Sequence, residues 1–433
     1  MNPRIAILHG GGPAPGSAGV FEGVVTQASR LGFEVLGIPE GFSHLRSGNA
    51  EAIKPLTLSD VRDASSAGGT FLPTSRARLH RPEEYETALK LLDELGVVGL
   101  VAVGGEDTGS SAAVLSTAAD ERGSPLKVVH VAKTIDGDIH HPEGLPTFGI
   151  DTAASEAAKD LEALHAEGLS NPDRMFLVGI MGRSSGELAR RAASKAQHDG
   201  RGPDVTIVPE LFRDKVPLEV VRNVVAGAHI KARARGRRSF VALISEGVLE
   251  MCTDESVKHL IADVPQDEHG HIQHSKIQFA YHLARLLEEF HGADRIGLLA
   301  GGKAIPATAI DIGYGRLRCG RPTPYDREYV LTVGSAAVSM LHAGKGGGTI
   351  FYRGNGEVHF YPFAKSIDPS SKRMRTRPMS LSEYKELLGE NTPFLTERDL
   401  EDESLIGQTA LTQYAFGVRF AAAVSALKHL EKA

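Results

Sequence analysis

The stretch VVGLVAVGGED, residues 97–107, runs from an unbroken apolar segment into two glycines and two carboxylates. Such a run is typical of a strand buried on both faces of a sheet. Residues 128–131 repeat the design ahead of Lys133, and residues 4–8 repeat it ahead of a glycine-rich segment. Ligands of open parallel sheets bind beyond the carboxyl ends of the strands, so these strand ends are where we expect the chemistry.

Amphipathic segments separate the predicted strands. Residues 20–29 fit a helix, and residues 83–95 place apolar side chains on one stripe, with Gly96 as a C-terminal cap. A second series begins with a helix that Asp151 and Thr152 cap and that runs to about residue 165. Its strands are residues 175–180, 205–208 and 240–244, and a basic loop at residues 365–377 precedes a polar helix that begins near Ser380. Strands alternating with helices predict an α/β fold with two parallel sheets covered on both faces.

Composition limits the classes of function. The 433 residues are enough for two domains, and the 41% hydrophobic and 24% charged residues are those of an ordinary globular protein. The net charge of −6 argues against a nucleic-acid or anionic-membrane partner. Cys252 and Cys319 are too few for a disulfide framework and are interpreted as small apolar residues. With no apparent signal peptide or membrane-spanning run, we expect a cytoplasmic protein.

Residues 10–16, Gly-Gly-Gly-Pro-Ala-Pro-Gly, lie between a predicted strand and a predicted helix. Glycines there let backbone N–H groups approach phosphate oxygens, and the helix N-terminus favours negative charge. The segment is neither a dinucleotide fingerprint nor a Walker loop, because the terminal Lys-Ser/Thr is missing. A tight turn with positive φ explains the same glycines, so both interpretations stay open.

Two strand-end segments carry paired carboxylates. Glu106 and Asp107 repel each other unless a cation lies near, which favours a Mg²⁺ site over a polar loop that caps a helix starting near Ser110. Asp136 and Asp138 alternate across a glycine, so one can face a substrate hydroxyl while the other helps to hold metal. Lys133 adds positive charge for a phosphoryl group, although an Asx-rich turn is the structural alternative. Arginines that follow strand-like or glycine-rich positions suit phosphate binding, although each alone is commonly a solvated surface residue: Arg76, Arg183, Arg318 and Arg327.

Taken together and in order, these segments resemble the 6-phosphofructokinase family from residue 10 to about residue 334. Residues 11–16 resemble its first phosphate loop, and residues 68–76 its Gly-Gly-Thr…Arg segment. Residues 104–107 stand where the family has Gly-Gly-Asp followed by Gly or Asp, and residues 134–138 stand at its Thr-Ile-Asp-Asn-Asp signature. Residues 181–183, 245–247 and 325–327 resemble its Met-Gly-Arg segment, its sugar-binding acid and its Tyr-Asp-Arg segment.

The resemblance implies a role for each matched residue. Asp136 is the general base for the sugar 1-hydroxyl, Glu106 and Asp138 orient Mg²⁺, and Glu246 binds sugar hydroxyls. Arg174, Arg318 and Arg327 hold the 6-phosphate, and Arg174 reaches a neighbouring subunit, which implies a homo-oligomer, a dimer or a tetramer. The residues implied in catalysis are Asp136, Arg76, Arg183, Lys133 and Thr134. Those implied in substrate binding are Gly12, Asp107, Arg174, Met181, Gly182, Glu246, Arg318, Tyr325 and Arg327.

The phosphoryl donor is inferred from two positions. ATP-using members usually have glycine after Gly-Gly-Asp, whereas pyrophosphate-using members carry Asp there and Lys ahead of Thr-Ile-Asp. This sequence has Asp107 and Lys133, which implies pyrophosphate with Mg²⁺ as donor and fructose 6-phosphate as acceptor. It departs from the family pattern at Glu106, which replaces Asp, at Gly137, which replaces Asn, and after the first loop, where the usual asparagine is missing.

The resemblance also implies two Rossmann-like lobes with the active site in the cleft between them. The donor lobe is predicted at residues 1–149 plus about 326–378. The sugar-phosphate lobe is predicted at residues 150–325 plus about 379–433. Three alternatives stay open: an ATP-dependent sugar kinase, a non-catalytic homologue that senses sugar phosphates, and another acceptor such as a seven-carbon sugar phosphate.

Overall fold

The strand Val97–Gly104 lies at the centre of a seven-stranded sheet in the computed structural model of the chain. The structure describes residues 3–141, 143–198, 200–266, 272–273, 276–292, 299–300, 303–388, 392–409 and 411–432. The chain divides into two units, unit 1 with Met1–Ala153 and Gly315–Arg377, and unit 2 with Ala154–Tyr314 and Pro378–Ala433. The assignment of the donor to one unit and of the sugar phosphate to the other stays a prediction.

The strands, in chain order, are β1 (Arg4–His9), β2 (Glu34–Ile38), β3 (Lys54–Leu56), β4 (Val97–Gly104), β5 (Lys127–Ala132), β6 (Met175–Ile180), β7 (Val205–Ile207), β8 (Phe240–Ser245), β9 (Leu299–Ala300), β10 (Lys303–Ala304), β11 (Ala307–Asp311), β12 (Gly348–Gly354) and β13 (Glu357–Pro362). The helices are α1 (Ser17–Arg30), α2 (Ser43–Ser47), α3 (Pro82–Glu94), α4 (Glu106–Glu121), α5 (Ile150–Ser170), α6 (Glu187–His198), α7 (Leu218–Ala234), α8 (Asp254–Leu260), α9 (Phe279–Gly292), α10 (Tyr314–Cys319), α11 (Pro324–His342), α12 (Phe363–Ser366), α13 (Leu381–Leu388), α14 (Glu403–Ile406), α15 (Gln413–Leu427) and α16 (His429–Lys432).

The sheet of unit 1 has the strand order β13-β12-β5-β4-β1-β2-β3. Its inner strands pair in parallel, and only the edge strands β3 and β13 run antiparallel to their neighbours. The register pairs Gly104 with Ala132, and the Lys133 amide donates to the Gly104 carbonyl at 2.9 Å. Both carboxylate segments therefore leave the sheet side by side.

Helices cover both faces of this sheet. Helices α1 and α11 pack against each other and against strands of the sheet on one face, where Ile5, Ile7 and Val330 are fully buried. On the other face, Leu8, Leu100 and Leu115 belong to a core that also includes residues of α2, α3 and α12. The continuous burial of β4 follows from these two layers, as its unbroken apolar sequence predicts.

Unit 2 has its own four-stranded parallel sheet, with the order β11-β6-β8-β7. The register pairs Ile180 at the end of β6 with Ser245 at the end of β8. Residues 181–183 and Glu246 consequently leave neighbouring strands at one edge of this sheet. Within the described residues, no helix is long and apolar enough to cross a membrane.

Two predicted helix starts were wrong. Helix α4 begins at Glu106 and not near Ser110, so both carboxylates lie in its first turn, where the helix dipole favours negative charge. Helix α5 begins at Ile150 and ends at Ser170, so Asp151 and Thr152 lie inside it. Their side chains bond to the N-terminal residues of α11, Thr323 and Asp326, and do not cap α5. Gly96 has φ +67° beyond α3, which confirms its predicted place.

Candidate active site

The glycine-rich loop after β1 is fixed by hydrogen bonds on both sides. The Gly10 amide donates to the Val103 carbonyl and the Gly11 amide to the Ser75 carbonyl, both at 2.8 Å. The Thr74 hydroxyl lies 2.6 Å from the Gly11 carbonyl, and the Ala14 amide donates to Ser17 Oγ at 3.1 Å. Gly11 has φ +77° and Gly16 has φ +88°. The loop has positive φ at two glycines and leads into the N-terminus of α1. Its shape therefore fits both a tight turn and a phosphate-binding loop.

The buried side chain of His9 contacts residues that border this loop. His9 Nε2 lies 3.1 Å from Ser17 Oγ, and His9 Nδ1 lies 3.3 Å from Thr74 Oγ1. Complete burial, and then the charge of Lys133, hold the pKa of His9 well below its usual range. A neutral imidazole therefore links the first turn of α1 to the segment that precedes Arg76, which is a support that the sequence analysis missed.

Cationic side chains surround the same loop. A Cβ added to Gly12 would lie 1.9 Å from Arg318 Nη2, and one added to Gly11 would lie 3.7 Å from Lys133 Nζ. The charges of Arg318 and Arg76 both act on Lys133. The structure thus places Arg318 in unit 1 with residues predicted to bind the donor. Its predicted contact with the sugar 6-phosphate stays a prediction.

Lys133 is buried, with 8% of its surface exposed. Loss of hydration is the main cause that lowers its pKa to about 8, and Arg318 and Arg76 lower the pKa further. Asp136 and Asp138 act in the opposite direction. Burial therefore destabilises the charged ammonium of Lys133, and an anionic ligand beside it would offset that cost.

The segment that follows Lys133 is an ordered turn. Thr134 Oγ1 donates to Asp138 Oδ1 at 3.0 Å and accepts from the Asp136 amide at 3.0 Å. Gly137 has φ +70°, a conformation that glycine adopts freely and asparagine more readily than other residues. This explains physically how glycine can stand where the family signature has Asn. Loss of hydration raises the pKa of Asp138, and the Thr134 hydrogen bond opposes that shift.

The carboxylates of Glu106 and Asp107 meet arginines. Arg373 Nε donates to Glu106 Oε1 at 2.7 Å, and Arg373 Nη2 lies 3.4 Å from Asp107 Oδ1. Arg78 Nη1 donates to the same Asp107 oxygen at 3.0 Å. These two arginines neutralise the pair, so charge repulsion by Asp107 is weaker than its sequence position alone implies. Neither arginine stands in a motif that would have marked it in the sequence.

The two residues predicted to hold Mg²⁺ carry oxygens of the kind that a hard cation prefers. In the part of the chain that the structure describes, no three His, Cys, Asp or Glu side chains are grouped to hold a metal ion. Mg²⁺ needs few protein ligands, because it keeps several waters and binds substrate phosphates. Glu106 and Asp138 supply carboxylate oxygens of the right kind, and the Glu106 side chain is 28% exposed.

The predicted sugar-binding residues of unit 2 follow two neighbouring strands. The Gly182 amide donates to the Glu246 carboxylate, and Ser245 Oγ donates to the Gly182 carbonyl at 2.6 Å. Partial loss of hydration raises the pKa of Glu246. A Cβ on Gly247 would lie 2.2 Å from the Arg183 carbonyl, so only glycine fits there. Met181 and Glu246 line a cavity of about 280 Å³ that Asp311 and Tyr314 also border.

Other predicted residues lie at the surface of their units. Arg183 Nε donates to Glu250 Oε1 at 2.5 Å and is exposed. Arg174 is exposed directly before β6, in unit 2. Arg327 is exposed in unit 1, where its Nε donates to Ser65 Oγ at 3.3 Å. Tyr325, also in unit 1, packs its ring near those of Tyr329 and Tyr352. The three arginines that were predicted to clamp the 6-phosphate are therefore divided between the two units.

Comparisons with known proteins identify the family of the chain. The sequence profile described as phosphofructokinase matches residues 4–341. The chain belongs to the phosphofructokinase family. Among curated relatives of this phosphofructokinase, a pyrophosphate–fructose 6-phosphate 1-phosphotransferase of Thermotoga maritima is 36% identical over 408 residues, which are 93% of each chain. An ATP-dependent 6-phosphofructokinase of Chloroflexus aggregans is 30% identical over 372 residues, 84% of this chain and 90% of the relative.

Solved structures share the fold of this phosphofructokinase. The crystal structure of a pyrophosphate-dependent phosphofructokinase from Nitrosospira multiformis matches with a TM-score of 0.67 and 15% identity. The match covers 97% of this chain and 91% of that one. The predicted fold class, parallel α/β sheets flanked by helices and typical of phosphofructokinases, is confirmed.

Proposed function

We propose that this phosphofructokinase transfers a phosphoryl group reversibly from pyrophosphate, with Mg²⁺, to the 1-hydroxyl of fructose 6-phosphate. The products are fructose 1,6-bisphosphate and phosphate. The choice of donor rests on Asp107, which lies in the first turn of α4, directly after β4. The buried Lys133 follows β5, the strand that pairs with β4. The name and the full-length match of the Thermotoga maritima relative support the same donor.

The residues of unit 1 divide the work on the donor. The N-terminus of α1 favours phosphate oxygens, whereas the Gly10, Gly11 and Ala14 amides of the glycine loop are bonded within the protein. Lys133, Arg76 and Arg318 provide positive charge beside Gly11 and Gly12, which an anion of high charge requires. Glu106 and Asp138 would hold Mg²⁺, which when bound neutralises charge on the phosphates. This concentration of positive charge suits a compact, highly charged donor such as pyrophosphate.

Asp136 is the proposed general base. Its amide donates to Thr134 Oγ1, which fixes the turn. The negative charge of its carboxylate raises the pKa of Lys133 and so opposes the effect of burial. Removing the proton of the sugar 1-hydroxyl as the phosphoryl group arrives is the role of a carboxylate in this reaction class. In unit 2, Glu246 and Met181 would contact the sugar, and Arg183 would contact the moving phosphoryl group. Arg174, Arg318 and Arg327 remain the proposed 6-phosphate residues, and contributions across subunits would make the enzyme a homo-oligomer.

Two findings favour ATP as an alternative donor. Arg78 and Arg373 neutralise Asp107, which weakens the electrostatic argument against a nucleotide, and a relative named as ATP-dependent is 30% identical. The alternative is therefore an ATP-dependent 6-phosphofructokinase that uses the same base and sugar residues.

Phosphorus NMR of one reaction mixture tests the proposal. With fructose 6-phosphate, pyrophosphate and Mg²⁺, we expect one phosphate and one fructose 1,6-bisphosphate to form for each pyrophosphate consumed. Adding phosphate and fructose 1,6-bisphosphate should regenerate pyrophosphate. Release of two phosphates without a new sugar phosphate would show a pyrophosphatase instead. Absence of any reaction with either donor, in a preparation that binds fructose 6-phosphate, would support a non-catalytic homologue.

A further inference from the structure

The loop of residues 367–377 carries an arginine onto both carboxylates of the first turn of α4. Arg373 Nε pairs with Glu106 Oε1 at 2.7 Å, and its Nη2 reaches Asp107 Oδ1 at 3.4 Å. The Glu106 pairing, and Asp107 more weakly, raise the pKa of Arg373. The side chains are 52%, 28% and 49% exposed for Arg373, Glu106 and Asp107, so the contact is partly open to solvent.

The loop is built to hold this arginine in place. Ile367 and Met374 form an antiparallel bridge, and the Asp368 carboxylate accepts the amides of Ser370 and Ser371 at 3.0 and 2.9 Å. Lys372, directly before the arginine, has φ +57°, which turns the chain back at the tip. The loop is therefore an ordered hairpin whose tip sets the position of Arg373.

The residue after the arginine fastens the hairpin to α4. Met374 is 3% exposed, and its amide donates to Ser110 Oγ at 2.8 Å. A Cβ on Gly109 would lie 2.3 Å from Met374 Cε, so the methionine fills the space that this glycine leaves. Backbone and side chain thus both fix the register of Arg373 relative to Glu106.

The same loop also contacts the second carboxylate segment. The Arg377 amide donates to the Asp138 carbonyl at 2.7 Å, and Thr376 forms an antiparallel bridge with Ile139. Residues 367–377 therefore contact both α4, which carries Glu106, and the turn after β5, which carries Asp138. These are the two residues that are proposed to hold Mg²⁺.

We propose that Arg373 is an internal cation that competes with the divalent metal for Glu106 and so sets the metal affinity of the site. This inference rests on the proposed Mg²⁺ dependence of the enzyme. A guanidinium on Glu106 Oε1 both engages an oxygen that the metal would use and repels a second positive charge nearby. The arginine keeps adjacent carboxylates neutral without metal, and it must give up or share Glu106 when metal arrives with the phosphate donor.

Direct metal titration tests this role without turnover. Free Mn²⁺, measured by electron paramagnetic resonance in a solution of the whole protein, gives the dissociation constant of the metal alone and in the presence of imidodiphosphate, an inert pyrophosphate analogue. Arg373→Ala should bind Mn²⁺ about three- to tenfold more tightly than the wild type, as expected for removing a partly solvated competing charge. Arg373→Lys, which keeps a cation on the same loop, should stay closer to the wild type.

The matched control is Arg375→Ala, which removes an exposed arginine from the same loop while leaving its backbone bonds to Ser366 and His140 possible. Its Mn²⁺ affinity should not change. A tighter site in Arg373→Ala, with a thermal midpoint near that of the wild type and no change in Arg375→Ala, reports removal of the competing charge. An unchanged or weaker affinity in Arg373→Ala, with the thermal midpoint near that of the wild type, would overturn the proposal. The donor assay on the wild type separates this failure from failure of the proposed function.

Discussion

The guanidinium of Arg318 occupies the place that a side chain on Gly12 would need, since Nη2 lies 1.9 Å from the Cβ position there. A half-buried arginine of α10 and a glycine far from it in sequence are thereby matched to each other. The glycine loop therefore packs directly against the charged groups of Lys133 and Arg318. A small substitution in the loop should move these charged groups before it unfolds the protein.

Gly12→Ala should move Arg318 and leave the protein folded, because the end of an arginine side chain can shift. We expect kcat/KM with pyrophosphate to fall about 10- to 100-fold, the usual range for losing a charged hydrogen bond to a substrate. Steady-state kinetics with both substrates varied checks this. A rise confined to the KM for fructose 6-phosphate would instead support the sugar 6-phosphate role of Arg318.

Gly104→Ala is the contrasting variant. Its Cβ would lie 2.3 Å from Thr108 Oγ1 and 2.8 Å from the Gly10 carbonyl, and a buried β-branched side chain and a backbone atom cannot yield as an arginine tip can. We expect a loss of about 1–3 kcal/mol in the free energy of unfolding, as for overpacking in a core. Denaturant unfolding of both variants measures the difference. Equal stability of the two would contradict this account of the glycines.

The pH dependence should report Lys133. Its pKa is lowered to about 8, so the ammonium that attracts the donor is present below that value and is lost as pH rises through it. The kcat/KM for pyrophosphate reflects the free enzyme and should therefore decline above about pH 8. Lys133→Arg should keep its charge and shift this decline to higher pH. A profile that declines at the same pH in both proteins would assign the titration to another group.

Asp136→Ala should lose turnover by about 10²- to 10⁴-fold, the usual contribution of general-base assistance. Binding of fructose 6-phosphate should persist, since the residues implied in holding the sugar and its 6-phosphate, such as Glu246 and Arg327, do not include Asp136. Calorimetric titration of the sugar phosphate, run beside the kinetic assay, separates the two effects. Near-normal turnover in this variant would refute the role of Asp136 as base.

Asp107→Gly should gain measurable activity with ATP. Removing this carboxylate releases Arg78, whose positive charge can then attract nucleotide phosphates, while Arg373 stays paired with Glu106. The ratio of kcat/KM for ATP to that for pyrophosphate should rise relative to the wild type. No gain at all would mean that residues other than Asp107 exclude the nucleotide.

The sequence predicted buried strands such as β1 and β4, because unbroken apolar runs that lead into glycines leave little choice of structure. It did not predict where α4 begins, since Glu106 and Asp107 suit a loop as well as a first helical turn. It did not reveal Arg373 either, because the contact with Glu106 joins residues 267 positions apart and depends on a hairpin that periodicity does not show. The sequence marked Arg318 as suited to phosphate, but its place beside Gly12 depends on the packing of residues 306 positions apart, which sequence pattern does not show.

The identity of the donor is the central claim, and the ratio of kcat/KM for pyrophosphate to kcat/KM for ATP tests it most directly. Both values should come from one preparation at saturating Mg²⁺ and fructose 6-phosphate, with fructose 1,6-bisphosphate as the measured product. The account predicts efficient turnover with pyrophosphate and little or none with ATP. Turnover with ATP alone would contradict it.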